Sequence, residues 1–212
     1  MKVYLYILLT VIFITSARAQ VITEKHLDFK DRNLLKLNIQ IADSIDIATW
    51  NKNEVYLYSS VSINENKDNG AYVTSFDETG RSLDINARLK EDYFKGKKGC
   101  CCQTNIYWKV MIPENTPIDV ETIDGNITLT GNTREVRVKT ISGYIDLAVP
   151  ASRNANIDFS TISGTIYSNH NLAIQRGKAT GLPVKISEKL NDGGPAVKLE
   201  TISGDIYFRK AD

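Results

Sequence analysis

The stretch Glu121-Thr122-Ile123-Asp124-Gly125-Asn126-Ile127-Thr128-Leu129 recurs as Lys139-Thr140-Ile141-Ser142-Gly143-Tyr144-Ile145-Asp146-Leu147. It returns again as Ser160-Thr161-Ile162-Ser163-Gly164-Thr165-Ile166-Tyr167-Ser168 and as Glu200-Thr201-Ile202-Ser203-Gly204-Asp205-Ile206-Tyr207-Phe208. Measured at the threonines, the spacings are 18, 21 and 40 residues. A period of this kind takes precedence over any local reading, because it changes the whole fold. The last interval is about twice the others, so one degenerate repeat is expected between them.

The match extends upstream of the motif. Ile118, Val136, Ile157 and Val197 stand four residues before the threonines, and Val120, Val138, Phe159 and Leu199 stand two before. Each unit therefore reads apolar-x-apolar-x-Thr, then Ile-x-Gly-x-Ile. Within each half the period is two, the signature of a strand. Between Thr and Ile the phase slips by one, which predicts that both enter the interior through a bend from one face to the next. The glycine two residues later permits a positive φ or a close approach to the neighbouring coil. A helix is excluded by the β-branched residues, the mid-motif glycine and the spacing. The expected fold is all-β: a parallel single-stranded β-helix, or solenoid, right-handed favoured, with β-hairpin excursions in the N-terminal half. Identical positions would stack ~4.8 Å apart. About five apolar side chains per coil, at ~1.5–3 kcal/mol each, would offset the ordering cost. One coil alone cannot bury its face.

The first half alternates less regularly. Leu35, Leu37, Ile39 and Ile41 alternate, then Ile45 and Ile47, and the Ile39-to-Ile47 stretch looks like a shortened motif. Val73 to Phe76 and Leu83 to Leu89 flank Asp77-Glu78-Thr79-Gly80, a predicted hairpin. Ile106, Trp108, Val110 and Ile112 form a strand ended by Pro113. The run Val110-Met111-Ile112-Pro113, then Ile118-Asp119-Val120 and the Thr-Ile-Ser-Gly units, resembles the putative-adhesin family of exported bacterial β-solenoid proteins. The resemblance covers about residues 35 to 212, and Ile45-Asp46-Ile47 with Trp50 looks like that family's opening coil. It implies a fold and an export route, and no catalytic residues.

Residues 1–19 read as a secretory signal peptide: Lys2, an apolar run from Val3 to Ile14, and an Ala17-Arg18-Ala19 ending. The run is shorter than the ~20 residues of a membrane span. Cleavage would expose Gln20 and leave 20–212 as one β-solenoid domain, with irregular coils over about 35–112 and regular coils over about 113–212. The expected location is exported: periplasmic, cell-surface or secreted. The chain has 212 residues with 26 basic and 25 acidic side chains, and losing Lys2 and Arg18 with the leader turns a formal +1 into −1. So even a balance lacks the electrostatic footprint of a nucleic-acid binder.

Catalytic material is sparse. His26 and His170 are far apart in sequence and have no Ser or Cys partner at a recognisable spacing. Cys100, Cys101 and Cys102 are adjacent; Cys100 and Cys102 would share a strand face. A bridge between neighbouring cysteines would be strained, so the readings are a redox or disulfide pair with one left over, intermolecular pairing, or small apolar residues with one exposed thiol. No second cluster completes a metal site, and no cofactor is expected. Outward rows such as Asp124/Ser142/Ser163/Ser203, Asn126/Tyr144/Thr165/Asp205 and Thr128/Asp146/Tyr167/Tyr207 suit carbohydrate contact, and are also what any solvent-facing ladder looks like. Thr122, Ile123, Gly125, Thr140, Ile141, Gly143, Thr161, Ile162, Gly164, Thr201, Ile202 and Gly204 are assigned to the structural repeat. The leading expectation is a non-catalytic envelope adhesion, scaffold or interaction protein contacting a glycan or surface protein, with homo-oligomers forming through the solenoid ends. The rivals are a polysaccharide-active enzyme on the same scaffold, and an envelope signalling or stress component.

Overall fold

A computed structural model describes residues 19–95, 103–172 and 183–211. The cysteine triplet and residues 1–18 of the leader lie outside the described residues. The described residues are all-β, with one short 3-10 turn among them at Asn69–Ala71. The strands in chain order are β1 Val21–Asp28, β2 Leu34–Ile39, β3 Ile41–Trp50, β4 Glu54–Ile63, β5 Tyr72–Asp77, β6 Ser82–Leu89, β7 Thr104–Pro113 and β8 Ile118–Thr130. They continue as β9 Val136–Ser142, β10 Ile145–Val149, β11 Ala155–Ser163, β12 Ile166–Ser168, β13 Val184–Leu190, β14 Ala196–Ser203 and β15 Ile206–Lys210.

These strands form two facing halves of one 15-stranded sheet, joined through β8. The first half runs β5-β6-β2-β8-β9-β14-β11-β13, and the second runs β1-β4-β7-β3-β8-β10-β15-β12. The halves enclose one core. Phe159 of β11 meets Phe208 of β15 edge-on at 5.1 Å, and Trp108 Nε1 of β7 donates to the Tyr72 hydroxyl of β5 at 3.2 Å. The central pairings are parallel and in register with the sequence columns: Ile118↔Val136, Val136↔Val197 and Val197↔Ile157 on one half, Ile127↔Ile145, Ile145↔Ile206 and Ile206↔Ile166 on the other. The early segment joins the same stack, since Leu35 pairs with Ile118 and Ile45 with Ile127.

Three details of the expected coil differ. First, the sheet is mixed: β4, β1, β5 and β13 add antiparallel strands at its flanks. Second, the layers do not stack in chain order, because the last repeat (β14 and β15) inserts between the second and third. Among its described residues the 40-residue interval shows no further parallel coil. Its described part is an outbound strand, β13, antiparallel to β11, followed by a reversal at residues 191–195. Asn191 at φ 52° and Gly193 at φ 76° make that reversal, and Asn156 Nδ2 and N donate to Gly194 O and Pro195 O to carry it past β11. Leu182 of the expected degenerate coil lies outside the described residues. Third, the isoleucine after each threonine points outward. Thr122, Thr140, Thr161 and Thr201 are buried, whereas Ile123, Ile141, Ile162 and Ile202 are 43–47% exposed. The slip falls one residue later than the pattern indicated, placing two consecutive side chains outside at the bend.

The bend explains this. Each threonine hydroxyl donates to a backbone carbonyl there, for instance Thr140 to Ser142 O at 2.8 Å and Thr161 to Gly204 O at 3.0 Å. A buried hydroxyl needs such a partner. The glycine backbones then approach the neighbouring layer: a Cβ on Gly125 would lie 2.7 Å from Ala42 O, and those on Gly143, Gly204 and Gly164 would overlap the carbonyls of Gly125, Gly143 and Gly204. Gly143 also has φ 116°. Across the first half, alternating charges add register. Lys36 meets Asp84 at 3.2 Å, and Arg137 meets Asp119 at 2.9 Å and Glu121 at 2.8 Å, each across a strand boundary. Such half-exposed pairs contribute ~0–1 kcal/mol each.

Two outcomes follow for stability. Gly143→Ala and Gly164→Ala should each cost about 1–3 kcal/mol in denaturant unfolding. Gly80→Ala, with only ordinary contact at 3.8 Å, should stay near neutral. The second concerns His170, which stacks on Phe208 at 4.5 Å with Nε2 unpartnered. Burial holds its pKa below the usual 6.5, opposed by a hydrogen bond that the ring donates to the Arg209 backbone carbonyl, while nearby Lys210 lowers it further. The unfolded chain therefore binds this proton first as pH falls. The native state loses stability below about pH 6.5, by at most ~1.4 kcal/mol per pH unit. His170→Phe should remove that component, so the difference in stability, variant minus parent, should move in the variant's favour from pH 7.5 to pH 5; a constant difference would refute the assignment.

Candidate functional site

Outward positions on β10, β12 and β15 bring together three tyrosines. Asp146, Tyr207 and Tyr167 share one row across these strands, with Thr128 of β8 preceding Asp146. The Tyr167 and Tyr207 rings stack at 5.1 Å and 10°, while Tyr144, just before β10, meets Tyr207 edge-on at 6.0 Å and 83°. Tyr144 and Tyr167 are 39% and 48% exposed. Parallel pairing at one strand spacing dictates the stack: residues on the same side of adjacent strands stand face to face. The two stacking modes are the ones the ring quadrupole favours.

A polar frame fixes these rings. Arg209 donates through Nε and Nη2 to both oxygens of Asp146, at 2.8 and 2.6 Å. Asp205 accepts from the Thr165 backbone N–H at 2.8 Å and from the Tyr207 hydroxyl at 3.2 Å. Asn126 Oδ1 accepts from Tyr144 N at 3.2 Å. Partial burial, then Asp205, raises the Tyr207 hydroxyl pKa, so that hydroxyl remains a donor at neutral pH. The result is an exposed aromatic surface with carboxylates, a guanidinium and hydroxyls held around it. It can stack on the C–H faces of a ring and hydrogen-bond to its periphery.

A second feature is a groove of about 380 Å³ on the other half of the sheet, crossing β6, β2, β8 and β9. Its walls include Asn38, Asn86, Arg88, Glu121, Lys139 and Ile123. Asn38 Nδ2 donates to Asn86 Oδ1 at 2.9 Å, and Glu121 is bound by Arg137. Far along the second half, His26 of β1 packs on Tyr56 at 4.9 Å and approaches Glu54 at 3.3 Å. His170 lies apart from it, against Phe208. Among the described residues no group of three or more His, Cys, Asp or Glu side chains could hold a metal ion.

The repeat residues are brought together as stacked columns. Cys100 and Cys102 lie outside the described residues. The sequence reading had the three tyrosines in its outward rows, with Asp146 in the row of Tyr167 and Tyr207 and Asp205 in the row of Tyr144, and saw no pairing between the two acids; both flank Tyr207, Asp205 from its own strand and Asp146 through the inserted last layer. Arg209 was missed. Its only signal was its place two residues after Tyr207, the next outward position on the same strand.

No helix among the described residues is long and apolar enough to cross a membrane. No curated protein matches the sequence. The chain aligns with a solved structure described as a putative cell adhesion protein from Clostridium sporogenes, at 13% identity and a TM-score of 0.58, covering 91% of this chain and 100% of that one. Structures described as putative adhesins from Bacteroides fragilis and Parabacteroides distasonis align at 10% identity, with TM-scores of 0.22 and 0.23, over 92% of this chain and 99% and 98% of theirs. The Clostridium sporogenes structure shows a shared fold. Residues 116–209, the stretch holding all four repeats, match the family model Toastrack DUF4097.

Proposed function

We propose that this chain is an exported, non-catalytic interaction protein whose parallel layers serve as a solenoid scaffold and whose Tyr144–Tyr207–Tyr167 surface engages cell-envelope glycans. The tyrosine stack and its polar frame carry this reading. Large rigid aromatics exposed beside fixed hydrogen-bonding groups are the chemistry that carbohydrate recognition uses. The likeness in fold to a protein described as a putative cell adhesion protein agrees with it.

A hydrolytic reading has less support. Both oxygens of Asp146 are taken by Arg209, Asp205 is held by Thr165 and Tyr207, and Glu121 in the groove is tied to Arg137. Acid–base cleavage needs two carboxylates able to exchange protons across one bond. Export is supported by the leader and by the start of β1 at Val21, just past the predicted cleavage.

Purified protein titrated with envelope polysaccharides should bind at least one of them. Tyr167→Ala and Tyr207→Ala should each weaken that binding about tenfold, the worth of one aromatic contact. Tyr107→Ala, at an equally exposed ring on β7, should leave it unchanged. Binding indifferent to both cluster variants would remove the assignment. Protein recovered from the envelope fraction should begin at Gln20.

A further inference from the structure

The outward isoleucines form a surface that the glycan reading does not use. Ile123, Ile141, Ile202 and Ile162 stand in four successive layers, in that spatial order, each 43–47% exposed. They make a straight apolar ridge about 14 Å long at strand spacing. On one side runs the column Glu121, Lys139, Glu200, Ser160, and on the other Asp124, Ser142, Ser203, Ser163. The small serines leave room beside the ridge for another ridge.

We propose that this ridge is a homodimer interface, in which two copies pack ridge to ridge, antiparallel, about a two-fold axis between β9 and β14. In that arrangement Ile141 faces Ile202 of the second copy and Ile123 faces Ile162, so every exposed isoleucine is covered. The same operation sets Lys139 opposite Glu200 and Glu200 opposite Lys139. The charge column is thus complementary to its own reverse, as an isologous interface requires. Among the described residues Lys139 makes no ion pair within its own chain, and Glu200 is met only by Lys198.

Competing registers fail on one count or another. An axis through β9 would oppose Lys139 to itself, and one through β14 would oppose Glu200 to itself. An axis between β8 and β9 would keep ion pairs between Glu121 and Lys139. It would, however, place Ile202 against Gln40 and Ile162 against Arg88, the residues that continue the ridge column in the two preceding layers. Parallel packing would set the charged column against the partner's serines. A ridge of this size is well below the ~800 Å² per partner of a standard interface. The association is therefore weak and concentration-dependent, with a dissociation constant on the order of micromolar to hundreds of micromolar.

Sedimentation of the full chain across a concentration series tests this, in reductant so that Cys100, Cys101 and Cys102 play no part. A monomer–dimer equilibrium is expected. Ile141→Lys should abolish it, with the fold monitored by circular dichroism and thermal unfolding. Lys139→Glu and Glu200→Lys should each raise the dissociation constant about tenfold or more through facing like charges, and the double exchange should restore the parental value. A monomer at every concentration overturns the proposal. So does association that survives Ile141→Lys, or one that responds to Lys139→Glu but not to Glu200→Lys, which belongs to the other register. Should the isoleucine variant misfold, the two surface charge variants and their recombination still decide the matter.

Discussion

One contact sets the geometry of this molecule: at each bend the carbonyl oxygen of one layer occupies the place where a side chain would begin in the next. Gly125 sits over Ala42, Gly143 over Gly125, Gly204 over Gly143 and Gly164 over Gly204. Only glycine permits backbones this close. The approach lets the strands on both sides of the bend pair at one spacing, so a single glycine column aligns both halves of the sheet. The threonine before it satisfies a carbonyl that the turn would otherwise strand. Two consecutive residues then face water, which is why an isoleucine can be both invariant in the motif and exposed.

The parts of the fold that rest on side-chain period could be read directly. Alternation at Ile118, Val120, Ile127 and Leu129 identified strands and their buried sides, and matching columns identified parallel partners. Leu35 and Ile47 showed that the early segment belonged to the same layers. What could not be read was order. Apolar columns of Ile, Val and Leu fit any neighbour of the same kind, so nothing in them says that β14 lies against β9 and not after β11. That choice depends on the reversal at Asn191 and Gly193, local chemistry whose consequence is long-range. The phase error at the isoleucine has a similar origin. A two-residue outward step and a one-residue inward slip differ only in where the backbone turns, and hydrophobicity favoured the wrong one.

The same ambiguity governed the site. Outward rows of Tyr, Asp, Ser and Thr were visible, but their meaning depended on which rows became neighbours. Inserting the last repeat between the second and third puts Tyr207 between Tyr144 and Tyr167, and brings Arg209 to Asp146. With the repeats in chain order, Tyr167 would have stood between Asp146 and Tyr207, and the last layer would have lain too far from β10 for Tyr207 to meet Tyr144 or for Arg209 to reach Asp146. The surface is thus a product of topology as much as of composition.

That inserted layer also governs how the molecule can assemble. Repeat arrays usually grow by nearest-neighbour addition along the chain. Here the strands of residues 196–210 complete contacts to layers made sixty and forty residues earlier, so synthesis from the N-terminus cannot finish the core in step. Until residues 196–210 arrive, β9 and β11 have no common partner, Phe159 lacks Phe208, and the halves cannot close. The final strands act as a latch. Removing them would cost far more than an equal loss from β1, which pairs with β4 alone at the edge of the sheet.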